Sequence, residues 1–260
     1  MSLRTITAVR YVTPLREGGS LPAIVEGDDA GLYVLKFRGA GQGPNTLIAE
    51  IVVGELARAA GLAVPEIVLA ELPPDLARTE PDPEIQDLLR ASAGLNVALD
   101  YLPGATMFDP VLDRPDAALA ASIVWLDALT LNVDRTARNP NLLMWHRRLW
   151  LIDHGAALYF HHGASDYHAR IGDAFPLIAD HVLLAFATSI EDVDGALAQR
   201  LTPAVVDGIL ACVPDAWLEV DRAFASAQAR RAAYRDFLLG RLAAPRAFVT
   251  EAERVRTLHV

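Results

Sequence analysis

The chain has 260 residues, enough for one large domain or two closely joined ones, and 52% of them are hydrophobic, enough to build a core. A formal net charge of -10 argues against general nucleic-acid binding, which depends on neutralising phosphates with Lys and Arg. Cys212 is the single cysteine, so no internal disulfide can form, which suits a reducing cytosol; its apolar setting reads as a small buried hydrophobe.

Met1 to Val12 carries Arg4 and Arg10 but no long apolar stretch, so it reads as neither a secretory signal nor an anchor. No window reaches the roughly 18 apolar residues that span a bilayer. The longest candidate, Ala117 to Val133, is broken by Asp127 and Asn132. The expectation is a cytoplasmic protein with no membrane partner.

The N-terminal third reads as strands. Thr5 to Val12 alternates apolar and polar residues, Leu21 to Val25 is a short apolar run, and Asp28 to Gly31 is a turn signal before Leu32 to Phe37. Alternation puts Tyr33, Leu35 and Phe37 on one face of that strand and Leu32, Val34 and Lys36 on the other. A glycine-rich connector, Gly39 to Pro44, precedes a helix from about Thr46 to Ala60 with Asn45 as its expected N-cap. Strands follow at Ile67 to Ala70 and Leu95 to Leu102, separated by a surface excursion over residues 73–83. The chain then becomes mainly helical. Asp116 caps an apolar helix, a strand pair spans Leu142 to Asp153, and helices capped at Ser189, Thr202 and Asp215 lead to an Arg-rich amphipathic helix, Ala223 to Leu239, with a solvated charged face.

Lys36 stands out by composition. Of 23 basic residues, 22 are Arg and this is the one lysine. Arg is a wide planar fork and Lys a compact charge on a thin stem, so a narrow, partly buried slot facing phosphate oxygens accepts only the latter.

The strongest motif is Asn132-Val133-Asp134-Arg135-Thr136-Ala137-Arg138-Asn139. Asp134 and Asn139 lie five residues apart, and Asp153 follows after the strand pair, which returns the chain beside its own start. Phosphoryl transfer needs a carboxylate at the acceptor hydroxyl and oxygen ligands for Mg²⁺ on the phosphates. Asp134 suits the first task; Asn139 and Asp153 suit the second. Alone, Asp134 and Asn139 would equally serve as turn and capping residues. Arg138 can add charge near a transferred phosphoryl or simply face solvent.

In this order the segments resemble the protein-kinase-like superfamily and, within it, the HipA-like kinases. Tyr33-Val34-Leu35-Lys36 resembles the strand bearing the ATP lysine, and Ala49 to Pro65 resembles the HipA-like helix and following turn. That match makes Glu50 the partner of Lys36. Spacing agrees: Glu50 shares a face with Val53, Gly54 and Ala57, whereas Glu55 has Arg58 three residues on, as an exposed pair would. Asp100-Tyr101-Leu102 resembles the connector whose backbone meets adenine, and Asp153-His154-Gly155 stands where Asp-Phe-Gly stands in ordinary protein kinases.

The resemblance implies an α+β, two-lobed kinase-like fold: residues 1–102 as a small antiparallel sheet plus one helix, residues 103–260 as a helical lobe. It implies an ATP- and Mg²⁺-dependent phosphotransferase acting on a Ser/Thr hydroxyl of a protein. A small-molecule acceptor, nucleotidyl transfer and a nucleotide-binding pseudokinase stay open. No G-x-G-x-x-G lies between the first two strands; Gly18, Gly19 and Ser20 hold that place, where backbone amides and a hydroxyl can cradle phosphates. HipA proteins carry an extra N-terminal piece ahead of the first strand; the expectation is that this chain lacks it, so an antitoxin-type partner stays open. His154 in place of Phe argues against control by a swinging Phe. His161, His162, Asp166 and His168 are metal-ligating types, but they fall where an exposed segment is expected.

Overall fold

A computed structural model describes residues 2–15, 21–41, 43–163 and 166–258. Gly18, Gly19 and Ser20 lie outside the described residues.

Strands β1 (Thr5–Pro14), β2 (Ala23–Gly27) and β3 (Leu32–Lys36) are followed by helix α1 (Pro44–Ala60), strand β4 (Ile67–Leu72), helix α2 (Pro83–Ala91) and strand β5 (Gly94–Asp100). The sequence predicts an antiparallel sheet and one helix. The strands instead close into a barrel in the order β1-β2-β3-β5-β4, sealed by a parallel pairing of Thr5 with Leu69. Register shifts in β1 between Ala8 and Arg10 and between Tyr11 and Thr13 allow the bend, since extra residues on one strand curve it. Ala8, Ala23, Ala70 and Ala98 keep the barrel interior narrow enough to fill, beside Ile6, Val25, Tyr33, Leu35 and Phe37. The excursion at 73–83 includes a 3₁₀ turn, Pro74–Thr79, and runs into α2; Ala77, Ile85 and Leu89 join the same apolar cluster.

A second core contains residues of α1, the outer residues Ile67, Val97 and Leu99 of the barrel, and buried apolar residues from Phe108 to Val255. Helix α3 (Ala117–Thr130) starts at Asp116, whose carboxylate accepts from the Leu119 amide at 2.9 Å. Strand β6 (Thr106–Met107) joins the hairpin of β7 (Leu142–Trp145) and β8 (Arg148–Leu151). Its two loop residues, His146 and Arg147, both have positive φ (47° and 62°), the conformation that matches strand twist in a two-residue hairpin. Helices α4 (Ile190–Arg200), α5 (Pro203–Leu210), α6 (Asp215–Leu218), α7 (Ala227–Leu242) and α8 (Ala247–Arg256) complete the chain. Cys212 is buried. No helix among the described residues is long and apolar enough to cross a membrane.

Three local expectations are corrected. Helix α1 begins earlier, with Gly43 as N-cap and Asn45 inside its first turn. Asp215 is the first residue of α6, behind Pro214 as N-cap. The charged face of the Arg-rich helix is not all solvated: in α7, Arg230 and Arg241 are buried. Arg241 can be buried because carbonyls satisfy its donors, including Leu129 at 2.8 Å, Ala128 at 2.9 Å and Asp173 at 2.7 Å.

Candidate active site

Strand alternation sends Tyr33, Leu35 and Phe37 into the barrel, and Lys36 to the other face. There Lys36 is buried at 7% exposure, and its Nζ lies 2.8 Å from Asp153 Oδ1. Burial by itself would lower its pKa; the charges of Asp153, Glu50 and Asp134 outweigh that and hold the amine above its ordinary value. Burial would likewise raise the Asp153 pKa, but Lys36 holds this carboxyl below its ordinary value. Asp153 takes a left-handed backbone conformation, φ 53°, which a non-glycine residue keeps only when its surroundings impose it.

The ion pair of Lys36 is thus with Asp153, whereas the family resemblance assigns it to Glu50. Glu50 is buried; its Oε2 accepts the His154 amide at 2.9 Å, and its Oε1 lies 3.4 Å from His154 Nδ1. It therefore grips the residue next to Asp153. The small face expected around Glu50 is real: a Cβ on Gly54 would sit 2.4 Å from Ile67 Cδ1 of β4. Glu55 does pair with Arg58, at 3.5 Å, but the carboxylate is buried rather than solvated, and burial lifts its pKa. Gly155 closes against α1, where a Cβ would meet Thr46 Cγ2 at 2.4 Å.

Asp134 sits on the loop after α3. Its Oδ2 accepts from Asn139 Nδ2 at 2.7 Å and Asn141 Nδ2 at 3.3 Å. Burial, helped by the charge of Asp153, lifts its pKa against those hydrogen bonds. Arg138 is exposed on the same loop. Asp100 is exposed, Tyr101 half-buried and Leu102 buried; the Asp100 and Tyr101 amides donate to Glu66 and Leu32 carbonyls, each at 2.9 Å. A cavity of about 450 Å³ behind this connector, lined among others by Arg58, Glu66, Asp100 and Trp150, includes none of Lys36, Asp134, Asn139 or Asp153.

What holds the Asp134 loop was not anticipated. Asp127, fully buried in α3, accepts from Arg135 Nε at 2.5 Å, His181 Nε2 at 2.9 Å and Asn132 Nδ2 at 3.0 Å. Because His181 Nδ1 accepts the Leu183 amide at 3.0 Å, the ring proton sits on Nε2 and the histidine is neutral. Burial would raise the Asp127 pKa, but Arg135 and His181 hold it far below the carboxylate range. Arg135 also donates to the Asn141 carbonyl and, at 3.5 Å, to that of Ile152, so one guanidinium ties Asp134 to the strand leading into Asp153. The sequence signal was present: Asp127 and Asn132 interrupt the otherwise apolar run Ala117 to Val133, and a buried charge demands a partner.

Comparison with curated protein sequences returns no match. Among solved structures, a Helicobacter pylori proinflammatory kinase, CtkA, matches with a TM-score of 0.55 at 14% identity, covering 98% of this chain and 99% of its own. The Golgi casein kinase matches with a TM-score of 0.46 at 13% identity, covering 98% of this chain and 72% of its own. The same kinase with Mn/ADP bound gives 0.47 at 12%, covering 98% and 73%. At 14% identity the likeness to CtkA concerns the fold alone. A family model described as HipA-like kinase matches residues 8–245. That match spans most of the barrel, Lys36 and the Asp134–Asp153 loops together, and the chain belongs to the HipA-like kinase family, with the kinase-like phosphotransferase character this implies.

Proposed function

We propose that the protein transfers the γ-phosphoryl group of ATP to a hydroxyl, with a protein Ser or Thr as acceptor, residues 1–102 and 103–260 acting as the two lobes around the nucleotide. The observation that carries this reading is the convergence of Lys36 and Asp153 at 2.8 Å with Asp134 and Asn139 at 2.7 Å on adjoining loops. Each group matches one requirement of phosphoryl transfer, which asks the protein mainly for positioning and charge.

The donor set fits a hard cation. Asp153 offers a carboxylate held ionised by Lys36. Asn139 commits its amide nitrogen to Asp134, which leaves its carbonyl oxygen for a metal. Oxygen ligands of this kind suit Mg²⁺, which when bound neutralises phosphate charge. Asn139 and Asp153 would hold the metal, and Lys36 the α and β phosphates. Glu50 keeps Asp153 in place through the His154 amide. Asp134 orients the acceptor hydroxyl and takes its proton; a carboxyl lifted by burial is the better base. Arg138 stands on the same loop to balance charge near the acceptor. The backbone of Asp100, Tyr101 and Leu102 would meet adenine, and Gly18, Gly19 and Ser20 the phosphates.

The test is intact-mass measurement after incubation with ATP and Mg²⁺, alone and with protein and small-molecule acceptors, beside Asp134→Ala and Asp153→Ala. Phosphate added only by the wild type supports the reading. An added AMP mass would redirect it to nucleotidyl transfer, and binding without any turnover to a pseudokinase.

A further inference from the structure

Helix α7 carries the fully buried guanidinium of Arg230 into the space between three other parts of the chain. Its Nη2 donates to Asn45 Oδ1 at 2.7 Å, its Nε to Tyr167 Oη at 3.2 Å, and its Nη1 to the Trp217 carbonyl at 3.4 Å. Asp221 Oδ2 lies 3.7 Å away, and the rings of Phe224 and Tyr234 lie 5.9 and 5.6 Å from the guanidinium carbon. Asn45, in the first turn of α1, uses its other amide atom as well: Nδ2 donates to the His161 carbonyl at 2.9 Å. The His161 ring in turn meets Tyr234 Oη at 2.8 Å.

Desolvating a guanidinium is expensive, and an apolar side chain of similar volume often stabilises a core as well or better. Here the charge joins the start of α1 to the segment that follows Asp153-His154-Gly155. These are the two pieces whose relative placement sets the site. Glu50 on α1 holds the His154 amide, and Thr46 on α1 closes on Gly155. The first turn of α1 has no side-chain cap of its own, since its N-cap is Gly43. Asn45, clamped between Arg230 and His161, supplies the missing anchor.

We propose that Arg230 is a positioning residue: acting through Asn45, it locks the first turn of α1 to the segment after Asp153, and so fixes Glu50 and His154 where Asp153 and Lys36 are set. This rests on the reading of Lys36 and Asp153 as the nucleotide and metal site. A lysine cannot replace it, because one ammonium does not span Asn45 and Tyr167 as a planar fork does.

The test compares Arg230→Met, Asn45→Ala and the double variant with the wild type by two readouts. In amide hydrogen exchange, Leu158 and His161, whose amides donate to Thr130 and Leu158 carbonyls, should exchange about tenfold faster in all three variants, while Val97 to Leu99 in the barrel keep their protection. In the phosphotransfer assay, kcat should fall about tenfold or more and the Mg²⁺ concentration for half-activity should rise, as for groups that orient metal ligands. The double variant should be no worse than the worse single one, because both residues act through one contact. Unchanged exchange at Leu158 and His161, or unchanged kcat per folded molecule, overturns the proposal, as does an additive loss. If Arg230→Met fails to fold, Asn45→Ala alone decides by the same criteria. If the wild type transfers no phosphate, the proposed function fails, and the exchange data still decide the role of Arg230.

Discussion

Replacing Asp127 by Asn tests how the Asp134 loop is held. The substitution keeps size and shape but removes the charge paired with Arg135, whose side chain is fully buried. Three donors converge on the carboxylate, from Arg135, His181 and Asn132, at 2.5, 2.9 and 3.0 Å. Hydrogen bonds to a charged group contribute about 1.5–3 kcal/mol each, but the three share one acceptor and do not add. Breaking a buried ion pair by removing one partner costs about 3–5 kcal/mol, and an Asn that still accepts one bond belongs at the lower end, about 3 kcal/mol. Urea unfolding should therefore show the midpoint falling with m unchanged. The double variant Asp127→Asn, Arg135→Met should lose less than the sum of the single losses, since it leaves no unpaired charge. A loss below about 1 kcal/mol for Asp127→Asn, or strict additivity, would refute the idea that this pair anchors the loop.

Other outcomes follow from the same contacts. Lys36→Arg should lose phosphotransfer on the order of 100-fold, because a planar fork cannot take the place of one buried ammonium 2.8 Å from Asp153; near-normal turnover would contradict this. Gly155→Ala should destabilise by about 1–3 kcal/mol, because the new methyl meets Thr46 Cγ2 on a side chain stiff at χ1. Gly54→Ala should cost less in thermal melts, because the atom in its way is the free end of Ile67; the reverse order would be wrong for this packing. Burial lowers the pKa of His161 and His181, so both rings fold neutral and the unfolded chain takes up protons that the folded chain refuses. Their contribution is complete above the unfolded value of 6.5 and is lost as pH falls from there toward the folded values. Unfolding free energy should drop below about pH 6.5 by up to ~1.4 kcal/mol per pH unit per histidine, and His161→Phe should flatten the slope.

Much of the architecture follows from local pattern. Strand alternation alone gives the face on which Lys36 lies, and the apolar runs on either side of Arg147 give the hairpin that brings Asp153 back toward Asn139. The helix face of Glu50 is marked by its small neighbours. The unforeseen parts depend on contacts between distant residues. A parallel pairing of Thr5 with Leu69 leaves no turn signal in the sequence, because the strands it joins are not neighbours in the chain. Arg230 and Arg241 look like surface charges on an amphipathic helix until the carbonyls and side chains that receive them are in place. Glu50 and Glu55 differ in spacing but both are buried, since α1 is covered on nearly every side. The pairing of Lys36 with Asp153 rather than Glu50 depends on the backbone turn at Asp153, which composition does not reveal.

The proposed function requires Lys36 and Asp153 to form a Mg²⁺-dependent nucleotide site. Titration calorimetry with ATP, with and without Mg²⁺, on the wild type, Lys36→Met and Asp153→Asn tests it most directly. Binding by the wild type should strengthen with Mg²⁺, lose that Mg²⁺ dependence in Asp153→Asn and weaken in Lys36→Met even without metal. Wild-type binding that is absent, or equal binding by all three proteins with and without Mg²⁺, would contradict it.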